Sequence, residues 1–311
     1  MARDTRTCVI TVNYKGAEDT AACIASLQQS AVPVSIVVVD NTPNDPELEE
    51  ALSPYSDVQL IRAPENLGFG RGNNLGIEWA LSNTNCEFIF ILNNDATVES
   101  GCIEQLQNEM DKRSDVGLVT GRVVLMENPK ILWYGGGDID WKKGGGRVPG
   151  IFKSSESVQA LTAREVDFAS GCAMMIRRQV LNVVGGFDPA FFMYDEDVDL
   201  SIRIRKAGYK IYYLPHALVL HVLQGSQRDK EKKFVQKWSP DNPNYYFHIY
   251  HMVRNSIINA RKHAKGKDFI FFVFYFAVYI IYKAGKVAAH IGPKAFTPVV
   301  KGVIDGKRYH I

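Results

Sequence analysis

Cysteine is scarce and unpatterned: five in 311 residues (Cys8, Cys23, Cys86, Cys102, Cys172), an odd number with no CxxC spacing. That argues against a disulfide framework or a thiolate zinc site and favours a reducing compartment. An apolar leader is also missing. Met1 to Arg6 run straight into a strand-like pattern with no signal-peptide core, so the expectation is a cytoplasmic protein. The stretch Phe269–Tyr282 has fourteen uncharged residues, short of the roughly 20 that span a bilayer. No fixed-period repeat is present, which removes solenoids and propellers. With 46% hydrophobic and 23% charged residues, disordered and collagen-like classes drop out. The length accommodates one large domain with a sizeable appendage.

What is present is unevenly distributed. Residues 1–224 carry 20 Lys and Arg against 29 Asp and Glu, whereas residues 225–311 carry 16 against 5. An acidic front and a basic, aromatic back predict two regions, 1–224 and 225–311, with different partners. The front alternates β-branched runs (Cys8–Val12, Ser35–Val39, Val58–Ile61, Glu87–Leu92) with helical patterns near Ala17–Gln29, Asn73–Leu81 and Ile103–Met110. That alternation predicts an α/β fold with a mostly parallel sheet and helices on both faces. Trp133–Arg147, with six glycines around Asp138 and Asp140, reads as a mobile loop or an irregular hairpin. Strand patterns return at Glu165–Ile176, Lys210–Leu214 and Ala217–His221, with a helix from Val198 to Lys206.

Ligands of open α/β sheets bind beyond the carboxyl ends of the strands. Polar residues stand directly after three of the apolar runs: Asn13-Tyr14, Asp40-Asn41 and Asn93-Asn94-Asp95. Each alone can be a turn or cap residue; three on one sheet edge point to a site. A carboxylate at Asp40 can accept from the imide N–H of a pyrimidine. The glycines of Asn66-Leu67-Gly68-Phe69-Gly70-Arg71-Gly72-Asn73-Asn74 open a helix and can admit a phosphate to its backbone N–H groups, although the G-x-G-x-x-G spacing is lacking. Asp95 is the leading ligand for a hard divalent cation, with an N-cap as its alternative. The densest acidic cluster is Asp195, Glu196, Asp197 and Asp199 at a helix start, a rigid mount for a general base. A helix N-terminus by itself tolerates some of that charge, and Arg203 is placed to pair with Asp199. His221, at a strand end, is a metal ligand or a structural histidine.

Taken together, Val9-Ile10-Thr11-Val12-Asn13-Tyr14, Val39-Asp40-Asn41, Asn66-Leu67-Gly68-Phe69-Gly70, Leu92-Asn93-Asn94-Asp95, Gly186-Phe187-Asp188 and Glu196-Asp197-Val198-Asp199-Leu200 resemble the inverting family 2 glycosyltransferases of GT-A fold, in their rhamnosyltransferase-like branch. The resemblance covers about residues 7–223, and Tyr250 with Arg254-Asn255 resembles a further motif of that branch. It implies a GT-A (Rossmann-like) domain with a C-terminal helical extension. It implies that Thr11, Asn13, Tyr14 and Asp40 hold the nucleoside, that Asn66 and Asn73 lie near ribose or phosphates, and that Asn93, Asn94, Asp95 and Arg254 contact the nucleotide-sugar. Asn93 to Asp95 stand where the family has Asp-x-Asp, with only the last carboxylate present. Asp197 would be the catalytic base with Glu196 beside it, and Asp95 with His221 would bind Mg²⁺ or Mn²⁺.

The expected activity is transfer of a sugar, L-rhamnose from dTDP-rhamnose or a UDP-linked sugar, to a surface polysaccharide or lipid-linked glycan. A sugar nucleotidyltransferase would open with a Gly-rich, basic loop that Asn13-Tyr14-Lys15-Gly16 does not supply. A catalytically degenerate GT-A domain that binds glycan or scaffolds is the non-enzyme alternative. The basic tail, with Arg261–Lys267 and Phe269–Tyr282, is expected at the inner face of an anionic membrane or in a homo-oligomer contact. Nucleic acid is not among the expected partners.

Overall fold

A computed structural model of the chain describes residues 5–42, 45–222 and 237–310. The expected boundary at 224/225 therefore lies outside the described residues. The strands are β1 (Thr7–Asn13), β2 (Val34–Asp40), β3 (Val58–Arg62), β4 (Phe88–Leu92), β5 (Ala96–Val98), β6 (Val116–Leu125), β7 (Asn128–Tyr134), β8 (Asp138–Asp140), β9 (Gly145–Arg147), β10 (Arg164–Val166), β11 (Ala173–Arg177) and β12 (Lys210–His221). The helices are α1 (Ala17–Gln28), α2 (Pro46–Leu52), α3 (Gly68–Asn83), α4 (Cys102–Lys112), α5 (Arg178–Val184), α6 (Glu196–Lys206), α7 (Tyr245–His263), α8 (Lys267–Phe271), α9 (Ala277–Ile291) and α10 (Thr297–Arg308).

One sheet runs in the order β10-β12-β6-β11-β4-β1-β2-β3, with β5 added to β12 and β7 to β6. Strands β1, β2, β3 and β4 are parallel, and β12 is parallel to β6. Strand β11 runs antiparallel between β4 and β6. All five residues of β4 are buried. Because successive side chains point to opposite faces, both faces of the sheet are covered there, as its unbroken apolar run predicts. Helix α4 turns Ile103, Leu106 and Met110 inward together, the face its periodicity predicts.

Three segments sharpen or change the sequence expectation. Of the loop and hairpin readings of the glycine-rich stretch, the hairpin is the one formed: β8 and β9 pair antiparallel and are closed by a turn at Trp141–Lys143. The patterns at Lys210–Leu214 and Ala217–His221 are one strand with a register shift between Leu214 and Leu218. Pro215, which has no N–H for the ladder, sits inside that shift. The third concerns the tail. Helix continues from Lys267 to Ile291, 25 residues, through a π-helical turn at Phe272–Phe276. By length and composition it is long and apolar enough to cross a membrane, which the fourteen-residue uncharged run did not suggest. The difference arises because Lys283 and Lys286 interrupt the run without interrupting the helix.

The tail helices bury a hydrophobic cluster of their own, including Ile249, Val253, Phe272, Phe276, Ile280 and Val287. Helix α10 packs along α7, and the β8–β9 hairpin leans on the start of the long helix, with Lys142 Nζ 5.0 Å from the Phe271 ring centroid.

Candidate active site

The carboxyl ends of β1, β2 and β4 lie on one edge of the sheet, and Asn13 stands opposite Asp40 in the ladder. Asn13 is fully buried. Its Oδ1 accepts from Gly16 N (3.2 Å) and Thr20 Oγ1 (3.0 Å), and its Nδ2 donates to Asp45 Oδ2 (3.2 Å) and Asp40 Oδ1 (3.4 Å). The side chain thus braces β1, α1 and β2 against one another, while its neighbour Tyr14 is exposed. Thr11 is fully buried below the edge, and Asp40 is 3% exposed. Burial raises the Asp40 carboxyl above its ordinary value, against the hydrogen bonds from Thr42 N and Asn13.

Asn41 ties this edge to α3. Its Oδ1 accepts from Leu67 N (2.9 Å), and its Nδ2 donates to Asn66 Oδ1 (3.1 Å) and Gly68 O (3.1 Å). The start of α3 is further closed by Gly68 N donating to Asn66 Oδ1 and Phe69 N donating to Phe192 O. The glycines here therefore serve packing. Gly68 has φ +77 and a Cβ there would clash with Phe192 O, and Gly76 leaves no room for a Cβ beside Ile10. Asn73 is almost wholly buried, donating to Phe69 O (3.0 Å) and leaving its Oδ1 without a partner among the described residues.

At the end of β4, Asn93 N donates to Cys172 O (2.9 Å), and Asn94 Nδ2 donates to Thr20 Oγ1 (3.0 Å). Pairing of β5 with β12 sets His221 opposite Ala96. It thereby brings His221 Nε2 to 3.1 Å from Asp95 Oδ1. Both side chains are largely buried, and the imidazole lies 5.1 Å from the ring of Trp133. A carboxylate and an imidazole that converge in this way suit a borderline-to-hard divalent cation. Among the described residues no set of three such ligands occurs.

The acidic cluster is built at the start of α6. Tyr194 (φ +73) and Asp195 (φ +68) are both left-handed, a strained pair for residues with side chains. Helix α7 holds them there. Asn255 Nδ2 donates to the carbonyls of Met193 and Tyr194 (2.8 Å each), Asn259 Nδ2 to Asp195 O (3.0 Å), and Ser256 Oγ to Asp195 Oδ2 (3.1 Å). This turn leads directly into Glu196 and Asp197, the first two residues of α6. Asp197 Oδ2 accepts from Gly171 N (2.9 Å) and its Oδ1 from Val198 N (2.8 Å). Gly171 precedes Cys172, which binds Asn93, so one turn links the acidic cluster to the β4 end.

Electrostatics separate the four carboxyls. Burial pushes Asp195 up to about 7, with the Asp197 charge adding to it. Burial likewise raises Asp197, opposed by its backbone hydrogen bonds, and holds Glu196 well above the usual range with help from Asp197. Lys237 is the cation of this group: burial pushes its ammonium down to about 8, and its Nζ lies 3.5 Å from the Tyr194 ring centroid. Asp199 behaves oppositely. Burial would raise it, but His263 (2.8 Å), Arg203 (2.8 Å) and Lys262 together hold it well below the usual range. The Asp199–Arg203 pair is the one the four-residue spacing predicts.

Arg254 lies apart from the strand ends. Its Nη1 donates to Ala190 O (2.9 Å) and Asn255 Oδ1 (2.8 Å), and with Arg71, His251 and Tyr250 it lines a cavity of about 400 Å³. A larger cavity, about 630 Å³, opens between the β8–β9 hairpin, α6 and α8, where Arg147 and Arg205 are already paired with Asp138 and Asp167. On α7 the sequence reading singled out Tyr250, Arg254 and Asn255 and set Arg261 to Lys267 at a membrane surface. Arg261 Nη1 instead donates to the carbonyls of Gly306 and Tyr309, and Lys262 and His263 turn to Asp199. Ser256 and Asn259 escaped that reading. The signal was present: Asn255, Asn259 and Lys262 are spaced four and three apart, which puts polar groups on one helix face.

Residues 5–238 match the family described as glycosyltransferase like family 2. The low-salt glycan biosynthesis hexosyltransferase Agl10 of Haloferax volcanii is 28% identical over 208 residues, 65% of this chain and 62% of that protein. The N-acetylglucosaminyl-diphospho-decaprenol L-rhamnosyltransferase of Mycobacterium tuberculosis is 28% identical over 235 residues, 68% of this chain and 75% of its own. In fold the chain is similar to the mannosyltransferase PcManGT of Pyrobaculum calidifontis, solved with GDP-Man and Mn²⁺, at a TM-score of 0.56 and 14% identity, covering 99% of this chain and 77% of the other.

Proposed function

The chain belongs to glycosyltransferase family 2, and from that premise we propose that it transfers a sugar with inversion, Asp197 acting as the base and a divalent cation held by Asp95 and His221. The observation that carries this reading is the mounting of Asp197. Its carboxylate is fixed by Gly171 N and Val198 N at the mouth of α6, and its basicity is raised by burial. A base so placed is preorganised and poised nearer neutral pH than a free aspartate.

In the transfer the acceptor O–H proton passes to Asp197, the oxygen forms a bond to the anomeric carbon, and the carbon–oxygen bond to the diphosphate breaks. The diphosphate leaving group needs no proton from a second carboxyl, which separates this chemistry from glycoside hydrolysis. Asp40, nearly buried at the end of β2, suits recognition of the nucleoside base, with Tyr14 exposed beside it. Asn13, Asn41, Asn66 and Asn94 hold the strand ends that form the donor floor. The cation, when bound, neutralises the departing diphosphate. The mycobacterial relative, an L-rhamnosyltransferase named for a diphospho-decaprenol acceptor, supports dTDP-rhamnose as the first donor to try and a lipid-linked diphosphate glycan as acceptor.

The test is release of nucleoside diphosphate from dTDP-rhamnose and a panel of UDP- and GDP-sugars, with Mn²⁺ or Mg²⁺ and lipid-linked acceptors. Asp197→Asn is expected to lower turnover by about 10²–10⁴-fold while donor affinity by calorimetry stays within about threefold. Failure of the wild type to turn over any donor, with donor binding retained, would favour a glycan-binding or scaffolding role. Activity persisting in Asp197→Asn would remove Asp197 as base.

A further inference from the structure

The long tail helix divides sharply into two faces. Phe272, Phe276, Ile280, Ala284 and Val287 are buried against the rest of the tail. The opposite side leaves Ile270 (55%), Phe274 (69%), Val278 (69%), Ile281 (59%) and Tyr282 (57%) exposed. Only 28% of its most apolar window is buried. An apolar strip of this length, formed by residues spaced four, four, three and one apart, calls for a covering surface.

Charge indicates what covers it. Residues 225–311 carry 16 Lys and Arg against 5 Asp and Glu. Lysines stand at the strip itself: Lys286 Nζ lies 4.6 Å from the ring centroid of exposed Tyr282, and Lys142, from the hairpin, lies 5.0 Å and 5.6 Å from the rings of Phe271 and Tyr275. Aromatic rings beside ammonium groups match the boundary between acyl chains and anionic headgroups. A second copy of this chain would bring the same positive charge against itself. A membrane-spanning arrangement conflicts with the inner face, which is already packed on protein and cannot also meet lipid.

We propose that the outer face of Lys267–Ile291 docks flat on an anionic phospholipid surface, with the inner face remaining in the tail core. The helix then lies in the interface, its exposed Phe, Val and Ile side chains among the upper acyl chains and its lysines at the phosphates. The inference concerns attachment only and is independent of the donor and of the base.

Flotation of the full chain with vesicles tests it. Phosphatidylcholine vesicles containing phosphatidylglycerol are expected to carry the protein at low salt, and pure phosphatidylcholine vesicles to carry much less. Phe274→Glu with Val278→Glu, both exposed, is expected to weaken binding at least about tenfold while circular dichroism and Tm stay those of the wild type. Lys286→Glu should weaken it on the anionic vesicles alone. Absence of wild-type flotation overturns the proposal, as does undiminished flotation of the double variant. A concentration-dependent dimer in sedimentation, lost in the same double variant and without vesicle binding, would assign the face to a second copy instead.

Discussion

Asp195 shows how one residue can serve a site without doing its chemistry. It sits in the left-handed region, its carbonyl is held by Asn259 and its carboxyl by Ser256. Burial raises its carboxyl from 3.8 to about 7. A raised folded value means that the folded state binds the proton more tightly than the unfolded chain. Its stabilising effect is complete below about pH 4 and is lost as pH rises through 7. Asp195→Asn removes that cost of ionisation. Its Tm should exceed the wild-type Tm at pH 8 and approach it at pH 4, by differential scanning calorimetry. Equal wild-type and variant profiles would show that the carboxyl ionises freely.

Among the elements, α3 depends most on what its residues lack. The helix seats on β1 because Gly76 has no Cβ to meet Ile10 and Val39. In an exposed helix Gly→Ala would stabilise; here overpacking outweighs the propensity gain. Gly76→Ala should cost about 1–3 kcal/mol in urea denaturation and weaken donor binding, since Asn41 and Asn66 hang on the same seat. The expectation that these glycines admit phosphate rested on their position before a helix, which is equally the position for close helix–strand contact. Sequence spacing does not distinguish the two. In the structure the first-turn N–H groups of Gly68 and Phe69 donate to Asn66 Oδ1 and Phe192 O.

For the whole molecule, the front and back of the chain meet through charge as well as apolar packing. Lys262 of α7 reaches both Asp188 (2.6 Å) and Asp199, and His263 reaches Asp199 as well. Removing one partner of a buried set leaves the others uncompensated. Lys262→Met should therefore destabilise by about 3 kcal/mol, read from chemical denaturation, and lower turnover by loosening the loop that α7 clamps. Asp199 adds a pH signature. Its depressed folded value confers stability that is present above the ordinary carboxylate range and lost as pH falls below about 4. The variant should lose less stability on acidification than the wild type.

Local chemistry made much of this chain legible in advance. Unbroken apolar runs specified the parallel strands, and the polar residues after them marked the sheet edge, because strand propensity and burial act over a few residues. The acidic cluster and the Asp199–Arg203 pair were visible for the same reason. Tertiary structure alone decided the rest. Asp95 and His221 are brought within 3.1 Å by pairing of β5 with β12. Asn255 and Asn259 hold a strained turn some sixty residues earlier in the chain. Asn13, by appearance a ligand-facing residue, is fully buried and bonded to its own fold. A side chain's type and neighbours along the chain state which bonds it can form. Which of those bonds it makes depends on the groups that folding brings near, and on the buried hydrogen-bond demand that must be met once water is gone.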